Sequence, residues 1–80
     1  MKIEYKYIRF SWLERKGKTD QYVCLNQSRG NQIGLVKWYG PWRQYCFLPF
    51  SNTVFSVGCM NDINDFIRQL MEARKKVGEV

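Results

Sequence analysis

Cationic side chains and aromatic rings lie side by side at several points in this chain. Arg43 follows Trp42 and nearly adjoins Tyr45, Lys37 precedes Trp38, and Lys6 and Arg9 share the first apolar segment. A ring can stack on a nucleobase while an ammonium or guanidinium meets phosphate, so this pairing is raw material for nucleotide or single-strand binding. The same pairing stabilises a fold without any ligand, because arginine packs well over an aromatic face. No RNP-type, KH-type or zinc motif narrows the choice. The candidate ligand-binding residues are therefore Lys6, Arg9, Lys37, Trp42, Arg43 and Tyr45.

Other chemistry is poorly provided for. The sequence has no histidine, so the usual Ser-His and Cys-His nucleophile pairs cannot form. No glycine-rich phosphate loop is present, and Cys24, Cys46 and Cys59 have neither metal-ligand spacing nor the even count of a disulfide framework. Each cysteine has apolar neighbours and reads as a small buried hydrophobe. Cys59 precedes a predicted helix, whose dipole would favour its thiolate. Asp62 and Asp65 are three residues apart, but both suit the first turns of that helix and are not read as a catalytic pair. The expectation is a protein without enzymatic activity, metal or cofactor.

The formal charge of +6 is unevenly distributed. Residues 1 to 60 hold 9 basic and 3 acidic side chains, a difference of +6, whereas residues 61 to 80 hold 4 of each. A positive field over the first part would concentrate anionic partners; lysine and arginine used for solubility would give the same count. No apolar run matches a membrane span or a signal peptide, so a cytosolic protein with no membrane partner is expected.

The elements that must position these residues are legible from periodicity. Lys2 to Leu13 is rich in aromatic and β-branched residues and reads as a strand. Ile3, Tyr5 and Tyr7 alternate on one face but Ile8, Phe10 and Trp12 on the other, which predicts a bend near Tyr7 and Ile8. Glu14 to Asp20 reads as a polar loop, either a plain hairpin connection or a basic finger for phosphates. Gln21 to Asn26 is apolar on both faces and is expected to be central. Gln32 to Tyr39 forms a third strand, in which Gly34 leaves room for a ring or ligand against the backbone. Gly40 and Pro41 break the run, and a strand returns from Trp42 to Leu48. Trp38 and Trp42 are placed to stack across that connection. Thr53 to Val57 can add a short edge strand. From about 59 to 76, Ile63, Phe66, Ile67, Leu70 and Met71 mark the apolar stripe of a helix, with Asn61 as its expected N-cap, Arg74, Lys75 and Lys76 in its last turn, and Gly78 as terminator.

The segment Gly34-x-Val36-x-Trp38-x-x-x-Trp42-Arg43-Gln44-Tyr45-x-Phe47-x-Pro49, followed by Asp62-Ile63-x-x-Phe66-Ile67, resembles a group of small phage and prophage proteins of unassigned function. The likeness covers about residues 32 to 70. It implies a compact phage-encoded protein and assigns no residue a role. In size and composition the chain is also similar to counter-defence proteins, including CRISPR inhibitors and sponges for signalling nucleotides.

The expected architecture is one α+β domain: a four- to five-stranded antiparallel meander over residues 1 to 57, with one C-terminal amphipathic helix on one face. The other face must be solvated or must bind something. Two readings follow. In the first, a basic aromatic sheet engages nucleic acid or a nucleotide. In the second, the same surface or a sheet edge meets a host protein as an inhibitor, or serves assembly, with a homodimer left open.

Overall fold

The computed structural model describes residues 1 to 78, with side chains through Lys75. Four antiparallel strands, β1 (Ile8–Lys16), β2 (Thr19–Asn26), β3 (Gln32–Tyr39) and β4 (Gln44–Pro49), form one open sheet in chain order. Helix α1 (Val57–Gly78) covers one of its faces. The α+β meander is as expected. Thr53 to Ser56 forms no fifth strand, and Val57 already begins the helix.

The predicted bend is present and is sharper than a register slip. Residues ahead of β1 fold back on it: Tyr5 N–H donates to the Ile8 carbonyl at 2.9 Å, and Phe10 N–H donates to the Ile3 carbonyl at 2.8 Å. The strand thus begins at Ile8, not Lys2. This reversal resolves the conflict of phase, because Tyr5, Ile8 and Phe10 all enter one core. A second irregularity lies between Trp12 and Glu14. The expected loop from Glu14 to Asp20 shrinks to Gly17 and Lys18, since Lys16 already pairs with Thr19. Gly17 has φ of 59°, a left-handed conformation that glycine adopts without strain and that lets so short a turn follow the twist of the sheet.

The covered face carries Ile8, Phe10, Tyr22, Cys24, Val36, Tyr45 and Phe47, against which α1 packs Ile63, Phe66 and Leu70. Asn61 is not the N-cap. Ser56 takes that place: its Oγ accepts from Cys59 N–H at 3.1 Å, and the helix starts four residues earlier than Asn61. The expected basic last turn includes Lys76, whose side chain lies outside the described residues. The helix also ties down the N-terminal segment. Tyr5 donates its hydroxyl to Asp65 Oδ2 at 2.8 Å, and Gln69 Nε2 donates to the Tyr5 hydroxyl and to the Lys2 carbonyl. Asp65 therefore has a structural role, with Arg68 as its second partner.

Burial shifts two titratable groups of the core upward. Cys24 is fully buried, and burial, with Cys59 nearby, pushes its thiol up to about 12. Burial and the Asp65 carboxylate likewise raise Tyr5 well above the ordinary phenol range. A thiol in the unfolded chain ionises near ~8.5. Stability from the neutral thiol is thus fully present below that pH and is lost as pH rises toward 12, where the folded protein finally releases the proton. Urea midpoints are expected to fall steadily between pH 8 and pH 11. Cys24→Ala, less stable at neutral pH, should show a shallower decline; equal slopes for the two proteins would refute the assignment.

Candidate functional site

The β1–β2 turn sets Arg15 opposite Asp20, and the two form an ion pair at 3.2 Å. Asp20 is held further by Trp12, whose Nε1–H donates to Oδ1 at 3.1 Å, while the Asp20 N–H donates to the Tyr45 hydroxyl at 3.3 Å. Thr19 Oγ1 donates to the Lys16 carbonyl and closes the turn. The C-terminal half of α1 passes beside this hairpin. Between them lies a cleft of about 510 Å³, lined by Arg15, Lys18 and Arg74 together with Asp20, Tyr22 and Tyr45, and by Met1, Leu70 and Ala73. Its size is that of a small-molecule site.

The electrostatics favour an anion. Three cations face one carboxylate, and that carboxylate is already bound to Arg15. Lys18 and Arg74 have no ion-pair partner among the described residues. The Arg74 guanidinium lies 4.1 Å from the centroid of the Trp38 ring, and Trp38 meets Tyr45 edge-on at 5.4 Å. A cation–π contact of this kind orients the guanidinium and leaves its N–H edge available for hydrogen bonds. Arg74 also borders a second recess of about 410 Å³ with Trp38, Arg68 and Lys75. Burial raises the Tyr22 hydroxyl above its ordinary range, with the Asp20 charge and Tyr45 adding to the effect. At neutral pH it is a neutral hydroxyl, both donor and acceptor.

Of the six residues singled out from sequence, only Tyr45 lines this cleft. Lys6 is exposed on the N-terminal reversal, its ammonium 5.2 Å from the Tyr7 ring. Arg9 and Lys37 occupy the sheet face that α1 leaves open, and Arg9 donates from Nη1 to the Gln27 side chain at 3.2 Å. Trp42 and Arg43 lie in the β3–β4 connection, where Trp42 is 67% exposed. The six are thus divided among four places. Trp38 and Trp42 do not stack on each other. A single 3-10 turn, Gly40–Trp42, and a left-handed Arg43 with φ of 53° separate them, so that Trp42 packs edge-on against Tyr39 at 5.1 Å and Trp38 against Tyr45.

The polar cleft residues absent from that set are Arg15, Lys18, Asp20, Tyr22 and Arg74. The loop around Lys18 carried a signal in its cluster of basic residues. Arg74 carried none, because a cation in the last turns of a helix is accounted for by the helix dipole. Among the described residues no cluster of three or more cysteine, aspartate and glutamate side chains could hold a metal ion, and no helix is long and apolar enough to cross a membrane.

An uncharacterized 9.3 kDa protein of Acholeplasma phage L2 is 39% identical to this chain over 72 residues, which span 89% of the chain and 92% of the phage protein. No protein-family model and no solved structure matches the chain.

Proposed function

We propose that the chain, which belongs to the same family as the 9.3 kDa protein of Acholeplasma phage L2, is a small non-enzymatic binding protein for a phosphate-bearing ligand, with a nucleotide as the best fit. The observation that carries this reading is the convergence of Arg15, Lys18 and Arg74 on a cleft whose polar lining is Asp20 and the hydroxyls of Tyr22 and Tyr45. Phosphate meets Lys18 and Arg74, the cleft side-chain cations without an ion partner among the described residues. Asp20 and the tyrosine hydroxyls suit the sugar or base, which need donors and acceptors but carry no charge. The bounded volume favours a compact nucleotide over a long strand, which would track an extended groove. In a phage protein acting in the host cytosol, such a site suits withdrawal of a signalling nucleotide from a defence response.

Calorimetric titration with a nucleoside monophosphate, a cyclic dinucleotide and a single-stranded oligonucleotide at two salt concentrations tests the reading. One of the two nucleotides is expected to bind, more weakly at higher salt. Lys18→Ala and Arg74→Ala should each reduce affinity by roughly tenfold, in keeping with one charge-assisted hydrogen bond to phosphate. Absence of binding by both nucleotides, or binding indifferent to both substitutions, would reject the cleft as their site.

A further inference from the structure

The sheet face opposite α1 has a different character from the cleft. Strand register places Val23, Leu35 and Leu48 in one row across β2, β3 and β4, with Leu25 beside Arg9 and Lys37 beside Cys46. None of these aliphatic side chains belongs to the core beneath the helix. An antiparallel sheet with one solvated face usually alternates apolar inward and polar outward. Here the outward positions at the centre are valine and leucine. Val23 is buried among its neighbours and the leucines around it are half-buried, yet helix α1 lies over the other face.

Charge identifies what suits this face. Register puts Arg9, Lys16 and Lys37 on it or at its margin, against two carboxylates: Glu14, which Lys16 already holds at 3.7 Å, and Glu4, which an isolated bridge sets opposite Arg9 at the sheet edge. Arg9 donates to neutral acceptors on Gln27, and neither Arg9 nor Lys37 has an ion partner among the described residues. A second copy would bring the same cations against themselves, in a chain whose net charge is already +6. Nucleic acid would meet the cations, but the centre of the face is aliphatic and offers its bases no stacking platform, the exposed rings of Tyr39 and Trp42 lying only at its end. An apolar protein surface flanked by carboxylates matches both features at once, burying the leucine row while pairing Arg9 and Lys37 at the rim.

We propose that the open sheet face is a docking surface for an acidic, amphipathic protein segment, with Leu25, Leu35 and Leu48 as the apolar contact and Arg9 and Lys37 as the charge determinants. The site is separate from the nucleotide cleft and does not depend on it.

A synthetic amphipathic helix with a leucine stripe flanked by glutamates serves as the probe, and the same helix with lysines replacing the glutamates as its control. Binding is followed through backbone amide shifts of the full chain. The acidic peptide is expected to shift amides along β2, β3 and β4 around Leu35 and to bind at least tenfold more tightly than the basic one. Lys37→Glu should abolish that preference, and Leu35→Ser should weaken binding while circular dichroism shows an intact fold. Lys18→Ala, which alters only the cleft, should leave peptide binding unchanged. Equal binding of the two peptides, binding of neither, or shifts confined to α1 would overturn the proposal. So would sedimentation showing a dimer that Leu35→Ser dissociates, or an oligonucleotide that shifts the same amides.

Discussion

Phe66→Ala is expected to cost about 3–5 kcal/mol, the usual range for deleting a fully buried phenylalanine side chain. Phe66 has 0% exposure, its ring stacks on Phe10 with centroids 4.0 Å apart and planes within 1°, and it meets Tyr22 edge-on at 5.0 Å. It is therefore the side chain through which α1 grips both β1 and β2. A chain of this length has a total stability of about 4–12 kcal/mol at roughly 0.05–0.15 kcal/mol per residue, so the substitution removes about a quarter of it or more. Urea unfolding followed by near-ultraviolet circular dichroism should show a sharply lower midpoint, or no cooperative transition at all. Val54→Ala is the matched control: Val54 is 94% exposed, and its loss should stay within about 0.5 kcal/mol. A midpoint for Phe66→Ala close to that of the control would mean that the helix does not depend on this stack.

Phe66 also illustrates what the sequence makes legible. Its place on the helical stripe follows from 3.6-residue periodicity, and Phe10 follows from alternation after the bend at Tyr7. Both signals are local and strong, because a wrong phase would expose a large ring to water. Elements whose identity rests on weaker local terms were harder to place. Ser56 and Asn61 are equally good capping residues, and the choice between them is made by where Phe55 and Cys59 pack against the core. Thr53 to Ser56 has strand-compatible residues, but no free edge is used there once β4 ends at Pro49.

The cleft was legible only in part, for a physical reason. Arg15, Lys18 and Arg74 are brought together by the crossing of a hairpin and a helix far apart in the chain, and no periodicity encodes that encounter. Each residue has a sufficient local explanation, Arg15 and Lys18 in a polar stretch and Arg74 near a helix end. The aromatic and basic segment from Trp38 to Tyr45 offered the opposite situation. Its density suggested one surface, yet the pleat sends Trp38 and Tyr45 under the helix while the short 3-10 turn carries Trp42 and Arg43 outward. Density in sequence is a poor guide to proximity in a sheet, because neighbours along a strand face opposite ways.

Gly34→Val is the second large effect, and Gly34→Ala its milder form. A Cβ at Gly34 would run into the Phe47 ring, and it would also come within 3.0 Å of the Leu48 carbonyl. Phe47 cannot simply swing aside, since it packs edge-on against Phe55 at 5.2 Å on the rim of the core. Overpacking of this kind costs about 1–3 kcal/mol for a methyl group, and the branched valine should lie at or above the top of that range despite its preference for strands. The two effects have opposite signs, which makes the site diagnostic. In a mid-strand position without the ring, replacing glycine by alanine should gain about 0.5–1 kcal/mol from the reduced freedom of the unfolded chain. Phe47→Ala alone removes buried ring area and destabilises. In that background, however, Gly34→Ala should cost much less, the 3.0 Å approach to the Leu48 carbonyl being the close contact that remains. A double-mutant cycle by urea unfolding is therefore expected to give a coupling of about 1–3 kcal/mol between the two positions, at the upper end of the range for residues in contact. Additive costs, with no coupling, would show that the ring does not rest on the glycine backbone. The expected coupling explains why a residue poor in strand propensity stands in the middle of β3: its missing side chain is the space that Phe47 fills.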